Sequence, residues 1–343
     1  MGVNFYNSQT VNRIQKKKLT VGIVGVGDVV YKSHLPILLA MNDIFVAWVT
    51  DRDHYRAAQV ARSYRIECFR LPEQLETLPY TDIVLLAVPY GARSPYYEVL
   101  QHRNSALYVE KPIARSAEEH RHLCSLFSPP RLAIGLQQRS FGPVVLLKKL
   151  VNKSVFGQLI QIEFRHGSGA VVTYGKSFVS DAKLAGGGVL FEQGIHGLDL
   201  ALYIAGAKSA HSYHVNTIID KGFDVHAEGQ VALTNTSGEI ILDFKISWLT
   251  EPGVGLTFTF EHAVVTMSMV DPRMLLKSRD GSVLMSLTDS NTIYPNTGFQ
   301  TLWEYWRSFL AAIRRETENH TSASTSLLTT ELIEQICAQG TGQ

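Results

Sequence analysis

Two short stretches of this 343-residue chain hold side chains suited to moving protons. The longer reads Gly186-Gly187-Gly188-Val189-Leu190-Phe191-Glu192-Gln193-Gly194-Ile195-His196-Gly197-Leu198-Asp199. On a helix Glu192 and His196 share one face, and Asp199 lies a turn beyond His196. Acid, imidazole and acid in that order suit proton transfer, with one acid fixing the ring orientation. The same trio could hold a metal, but no further Cys or His is spaced to complete such a site, so no metal is expected. The shorter stretch, Tyr108-Val109-Glu110-Lys111-Pro112, ends an apolar run that reads as a strand. Ligands of open α/β sheets bind beyond the carboxyl ends of the strands, which directs Lys111 into the crevice.

A third stretch suits a nucleotide. The first apolar strand runs into Gly25-Val26-Gly27-Asp28-Val29-Val30, where two glycines permit a tight turn and close approach of a pyrophosphate. Val30 stands where the fingerprint has its third glycine. The second strand ends Trp48-Val49-Thr50-Asp51-Arg52. An acid there accepts from the adenosine ribose hydroxyls and favours NAD, while the neighbouring Arg52 could instead hold the 2′-phosphate of NADP. On balance NAD(H) is expected ahead of NADP(H).

These groups need a scaffold. Strands are expected at Leu19–Val24, Ile44–Thr50, Ile66–Phe69, Asp82–Val88, Ala106–Glu110 and Leu132–Leu136, alternating with helices near 30–42, 53–64, 95–103 and 116–127. Ser94 before Pro95, and Ser116 with Glu119, read as helix caps. Such alternation predicts a doubly wound parallel sheet. Beyond about residue 150 the pattern shifts. Gln158–His166 alternates as a strand, a helix is expected over 196–206, and strands follow at 211–220, 226–234, 239–249, 254–261 and 263–270. These predict an α+β domain with an open, mostly antiparallel sheet. Amphipathic helices close the chain at 299–316 and 325–338. The division expected is a Rossmann domain at 19–137, a substrate-binding and oligomerisation domain at 138–298, and C-terminal helices at 299–338 packing back on the first domain.

Composition excludes several classes. Thirty-two basic and 31 acidic residues nearly cancel, so no global field favours nucleic acid or an anionic membrane. Cys68, Cys124 and Cys337 are scattered, as in a reducing compartment. No signal-like or membrane-spanning apolar run occurs, and a cytoplasmic location is expected. Before the glycine run, Arg139, Arg165, His166, Tyr174 and Lys176 suggest a polar, hydroxyl-rich substrate pocket.

From about residue 19 to 338 the chain resembles the Gfo/Idh/MocA family, named for glucose–fructose oxidoreductase and inositol dehydrogenase. The marks are Glu110-Lys111-Pro112 and the glycine run leading to Gly194-x-His196-x-x-Asp199, in that order after a dinucleotide loop. The resemblance implies reversible hydride transfer between nicotinamide C4 and a secondary alcohol carbon of a sugar, nucleotide sugar or cyclitol. Lys111 and His196 match the family's catalytic pair, and Glu192 stands where the family usually has aspartate. His34 sits where the family commonly has a histidine, structural or near the cofactor. A homodimer or homotetramer through the second sheet is also implied. After the fourth strand, Pro89-Tyr90-Gly91-Ala92-Arg93 replaces the family's Pro-Asn-x-x-His. Pro89, Tyr90, Arg93 and Glu110 are nonetheless expected along the cofactor, with Arg93 open to an anionic substrate group. Two alternatives stand beside this reading: a nucleotide-sensing regulatory protein without catalysis, and an NAD-dependent glycoside hydrolase.

Overall fold

The apolar runs of the first third become strands buried on both faces, because parallel strands must be covered twice. The computed structural model describes residues 17–167, 184, 186–269, 273–288 and 297–340. Its first sheet is wholly parallel, with order β3-β2-β1-β4-β5-β6. The strands are β1 Leu19–Val24, β2 Ile44–Thr50, β3 Glu67–Cys68, β4 Ile83–Leu86, β5 Ala106–Val109 and β6 Leu132–Ile134. The order reverses between β1 and β4, and the crevice of such a sheet opens at that switch point. Gly22 has a packing reason, since a Cβ there would stand 2.1 Å from the Trp48 ring.

Helices α1 (Leu35–Ala40), α2 (His54–Tyr64), α3 (Ser94–Leu100) and α4 (Ala117–Leu126) connect these strands. A π-helical turn, Val30–His34, precedes α1, and the buried Val30 at the third fingerprint position begins it. Ser116 caps α4 by accepting from the Glu119 backbone N–H, but the Glu119 carboxylate reaches back to the Arg115 N–H, one residue before the cap. Ser94 makes no cap, correcting that expectation: it is the first residue of α3 and Arg93 takes the cap position. A helix that the sequence reading omitted, α5 (Gly142–Asn152), leads into the second sheet.

That second sheet has eight strands in the order β14-β13-β12-β11-β7-β10-β9-β8. They are β7 Leu159–Gly167, β8 Ser209–Asp220, β9 Phe223–Asn235, β10 Gly238–Ser247, β11 Val254–Phe260, β12 Val264–Met267, β13 Arg273–Lys277 and β14 Val283–Thr288. All neighbours run antiparallel except β7 and β10. One face carries buried Ile162, Phe164, Val231, Leu242, Phe244 and Phe258 under α6 (Ile195–Ala205) and α8 (Leu327–Gly340). The other face is open and carries a band of ion pairs, Arg165–Asp243 and Lys245–Glu228.

Helix α7 (Thr297–Ile313) buries Leu302, Tyr305, Trp306, Phe309 and Leu310 among β1 and β2 side chains such as Ile23 and Val46. The opposite face of the first sheet shares one continuous core with the second sheet. Among the described residues no helix is long and apolar enough to cross a membrane.

Candidate active site

At the carboxyl end of β1 the chain turns on Gly25, with φ of 89°, a left-handed value open to glycine at no steric cost. A Cβ on Gly25 would also press on the Ala87 carbonyl at 2.6 Å. Gly27 is different, because a Cβ there would meet nothing within 4 Å. That open surface above a tight turn, at the sheet's switch point, fits the pyrophosphate of a dinucleotide. Asp28 and Val29 are exposed on the same turn, Asp28 paired with Lys32 at 2.7 Å. Asp51 directly follows β2 and is buried, its carboxylate fixing the turn by accepting the Val26 N–H at 2.8 Å. Arg52 is exposed, and the guanidinium lying on Asp51 belongs to Arg56, a residue the sequence reading passed over.

Lys111 follows β5 in a turn held by an unexpected clamp. Arg93 is buried and donates to the carbonyls of Val88 (2.9 Å), Glu110 (2.6 Å) and Pro112 (2.5 Å). The expectation that Arg93 contacts cofactor or an anionic substrate is therefore corrected: its donors tie the Lys111 turn to the end of β4. Behind the turn, Glu110 accepts from His34 Nε2 at 2.7 Å, and Trp306 Nε1–H donates to His34 Nδ1 at 3.0 Å. An indole N–H can only donate, so His34 Nδ1 keeps its lone pair and the ring proton sits on Nε2. Burial opposes the Glu110 charge, but the His34 hydrogen bond, Lys111 and Arg93 outweigh it and hold its pKa below the usual value. Tyr90 follows the strand-end Pro89. Its hydroxyl donates to Glu119 and its ring edges on Gly186, beside Pro112.

Lys111 Nζ reaches across the crevice, donating to the Glu192 carbonyl at 2.7 Å and to its carboxylate at 2.9 Å. Glu192 lies in a second π-helical turn, Leu190–Gly194, which runs straight into α6. Single π turns are frequent at functional sites. The glycines before it are sterically required: a Cβ on Gly187 would strike the Phe191 ring at 2.3 Å, and one on Gly188 the Asp224 carbonyl at 2.2 Å. Asp224, at the start of β9, accepts the N–H groups of Gly188 and Leu190 and so anchors the whole helix. It is a positioning residue that no local sequence signal announces.

His196 begins α6, and its Nδ1 has no hydrogen-bond partner among the described residues. Burial, then Lys111, then His166 push its pKa down to about 3, so the ring is neutral at physiological pH. His166 joins the site from β7, on the side facing α6. Arg165 does not, because side chains alternate along a strand: it lies on the open face, paired with Asp243 at 2.5 Å. Arg165, expected in the substrate pocket, thus lies on the face away from His196. Arg139 is corrected too. It is buried and bonded to Asp199 through Nε at 2.7 Å and Nη2 at 2.5 Å, with further bonds to Thr325 and His320. Asp199 is thereby committed to Arg139 and Thr329 and does not orient His196. Tyr174 and Lys176 lie outside the described residues. Among those residues no three His, Cys, Asp or Glu side chains converge as a metal site.

Comparison with known proteins bears on this geometry. Residues 19–129 match the model of an oxidoreductase family with an NAD-binding Rossmann fold, and residues 144–265 match the GFO/IDH/MocA C-terminal domain. The chain is 25% identical over 256 residues to dTDP-3,4-didehydro-2,6-dideoxy-alpha-D-glucose 3-reductase of Streptomyces antibioticus, covering 72% of this chain and 70% of that one. It is 26% identical over 204 residues to D-glucoside 3-dehydrogenase of Escherichia coli K12, covering 58% and 57%. Among solved structures, a mutant of a 3-ketoreductase from Actinomadura kijaniata, crystallised with TDP-benzene and NADP, superposes with a TM-score of 0.76 at 15% identity, covering 94% of this chain and 98% of that one.

Proposed function

Because the chain belongs to the GFO/IDH/MocA family of NAD-binding oxidoreductases, we propose that it interconverts a secondary alcohol and a ketone on a sugar, nucleotide sugar or cyclitol. The observation that carries this reading is the pairing of a lysine cation and a neutral imidazole at one crevice, Lys111 beside His196. When bound, the nicotinamide cofactor supplies or takes the hydride at its C4. In the oxidising direction His196 accepts the hydroxyl proton, and Lys111 stabilises the developing alkoxide. Glu192 aims the lysine and offers a carboxylate to a neighbouring substrate hydroxyl. The glycine turn at Gly25 and Gly27 would hold the pyrophosphate and the Asp51 edge the adenosine ribose. NAD(H) is proposed ahead of NADP(H).

The two relatives named above are a 3-reductase of a dTDP-linked glucose derivative and a D-glucoside 3-dehydrogenase, so 3-keto sugars and glucosides head the substrate screen. The open face of the second sheet, with the exposed Val283, Leu284 and Met285 on its edge strand, supports self-association there. The three scattered cysteines suit a cytoplasmic location.

Nicotinamide oxidation measured across that screen tests the reading. The Lys111→Ala variant is expected to lose about 10²–10³-fold in turnover while binding cofactor as the parent does. Undiminished turnover in that variant would remove the lysine from the chemistry.

A further inference from the structure

The carboxylate of Asp51 has no acceptor site to spare. Its Oδ2 accepts the Val26 N–H at 2.8 Å and Arg56 Nη2 at 2.9 Å. Its Oδ1 accepts the Asp53 N–H at 2.8 Å and the same Arg56 nitrogen at 2.9 Å. A carboxylate offers about four lone-pair positions, and all four are taken. Two of the donors are backbone groups that shape the glycine turn and the start of α2, so they are fixed. The third donor, Arg56, is the group that can move, with its side chain 49% exposed against 7% for Asp51.

We propose that Arg56, rather than Asp51 or Arg52, meets the 2′ position of the adenosine ribose, and that through it the chain accepts NADP(H) as well as NAD(H). The inference rests on the nicotinamide-cofactor reading above. Its physical basis is that Asp51 can receive a ribose diol only if Arg56 withdraws from it. A 2′-phosphate needs no such withdrawal. Arg56 holds Asp51 through Nη2 alone, which leaves its Nη1 and Nε N–H groups to donate to separate phosphate oxygens. The guanidinium also offsets the charge by which Asp51 would repel that phosphate. Arg56 stands toward the glycine turn as well as toward Asp51, since its charge is felt at Asp28. Arg52 is exposed and precedes the Asp53 cap of α2, whereas Arg56 sits in the first turn of the helix with its guanidinium on Asp51.

The test is a fluorescence titration of NADH and NADPH against the intact protein and three variants, in low and physiological salt. The parent is expected to bind both. Arg56→Gln should weaken NADPH by about tenfold or more, the strength of a lost charge-assisted hydrogen bond, and leave NADH unchanged or tighter. Arg56→Lys keeps a charge without the spread of guanidinium donors and should fall between. Arg52→Gln should move neither. Equal weakening of both cofactors in Arg56→Gln would assign the residue to the pyrophosphate and overturn the inference. So would a parent that binds NADH alone, or an Arg52→Gln variant that reproduces the loss. A parent that binds neither cofactor would sink the oxidoreductase reading itself, a result distinct from all of these. Should Arg56→Gln fail to fold, Arg56→Lys against Arg52→Gln decides the question.

Discussion

His196 has to be neutral before it can accept a proton, and its surroundings ensure that it is. Burial disfavours the imidazolium, and the neighbouring Lys111 and His166 add like-charge repulsion. The cost is weak basicity, with a pKa near 3 in place of the usual value of about 6.5. Any proton it takes is thus passed on rather than kept. The ion pair between Lys111 and Glu192 has a different purpose. Glu192 is half exposed, so the pair contributes roughly 0–1 kcal/mol to stability and chiefly aims the lysine. The glutamate's extra methylene, compared with the aspartate usual in the family, does not prevent this contact. A pH consequence follows for the residue. If His196 is the base, kcat/KM should stay level from pH 7 down to pH 5, because its titration lies well below that window. A half-maximal loss near pH 6.5 in the pH–rate profile would show an unperturbed histidine and defeat the assignment.

At the scale of elements, the site depends on two buried arginines that each lock a segment in place. Arg93 clamps the Lys111 turn, and Arg139 joins the chain after β6 to α6 and to the segment before α8. Substituting Arg139→Ala would strand the Asp199 carboxylate in the core, and breaking a buried pair from one side costs about 3–5 kcal/mol. Urea denaturation should register that loss, and a change below 1 kcal/mol would mean water reaches the pair. These arginines also mark the limit of what the sequence discloses. Local signals were legible: the glycine turn, the Glu110-Lys111-Pro112 strand end and the glycines before Glu192 are short-range motifs whose neighbours are fixed by the backbone. Most strands were readable as apolar runs; β13 and β14 were not, and α5 was passed over although it carries Val144 and Leu147 buried at helical spacing. Asp199 was misread because helical spacing places it near His196, while its true partner, Arg139, is 60 residues away. Asp224 and Trp306 are remote from the residues they hold, and no periodicity encodes such a pairing. Arg165 and His166 are adjacent in sequence and fall on opposite sides of β7, a separation that the alternation of Ile160, Ile162 and Phe164 with polar residues already carried.

Across the whole molecule the second sheet shares one core with a face of the first, so the crevice is bounded by elements packed against each other. That core holds or abuts several histidines kept uncharged. His120, His166, His196, His226 and His320 all have pKa values lowered chiefly by burial. In the unfolded chain each takes a proton near pH 6.5, whereas the folded protein resists it. The unfolded state therefore binds more protons below that pH, and stability must fall as the solution is acidified from neutrality. Above about pH 7 their contribution is fully present. At pH 5 His196 alone should cost on the order of 2 kcal/mol, from a gap of about 1.5 pH units at 1.36 kcal/mol each. Glu110 and Glu228, with lowered pKa values, act in the same direction at lower pH, because their ionised forms are favoured by folding. Asp224 opposes them, since burial raises its pKa and its protonation favours the folded state. One raised carboxylate does not offset five neutral histidines between pH 7 and 5, so the net slope is set. Equilibrium urea unfolding at pH 7, 6 and 5 should give a steadily declining unfolding free energy. Replacing His120 by glutamine, which can still hydrogen-bond to Thr330 and Ala323 but cannot titrate, should flatten part of that decline. A stability that holds constant or rises on acidification would mean that these rings are charged in the folded protein, and the proposal of a neutral His196 as the base would lose its footing with them.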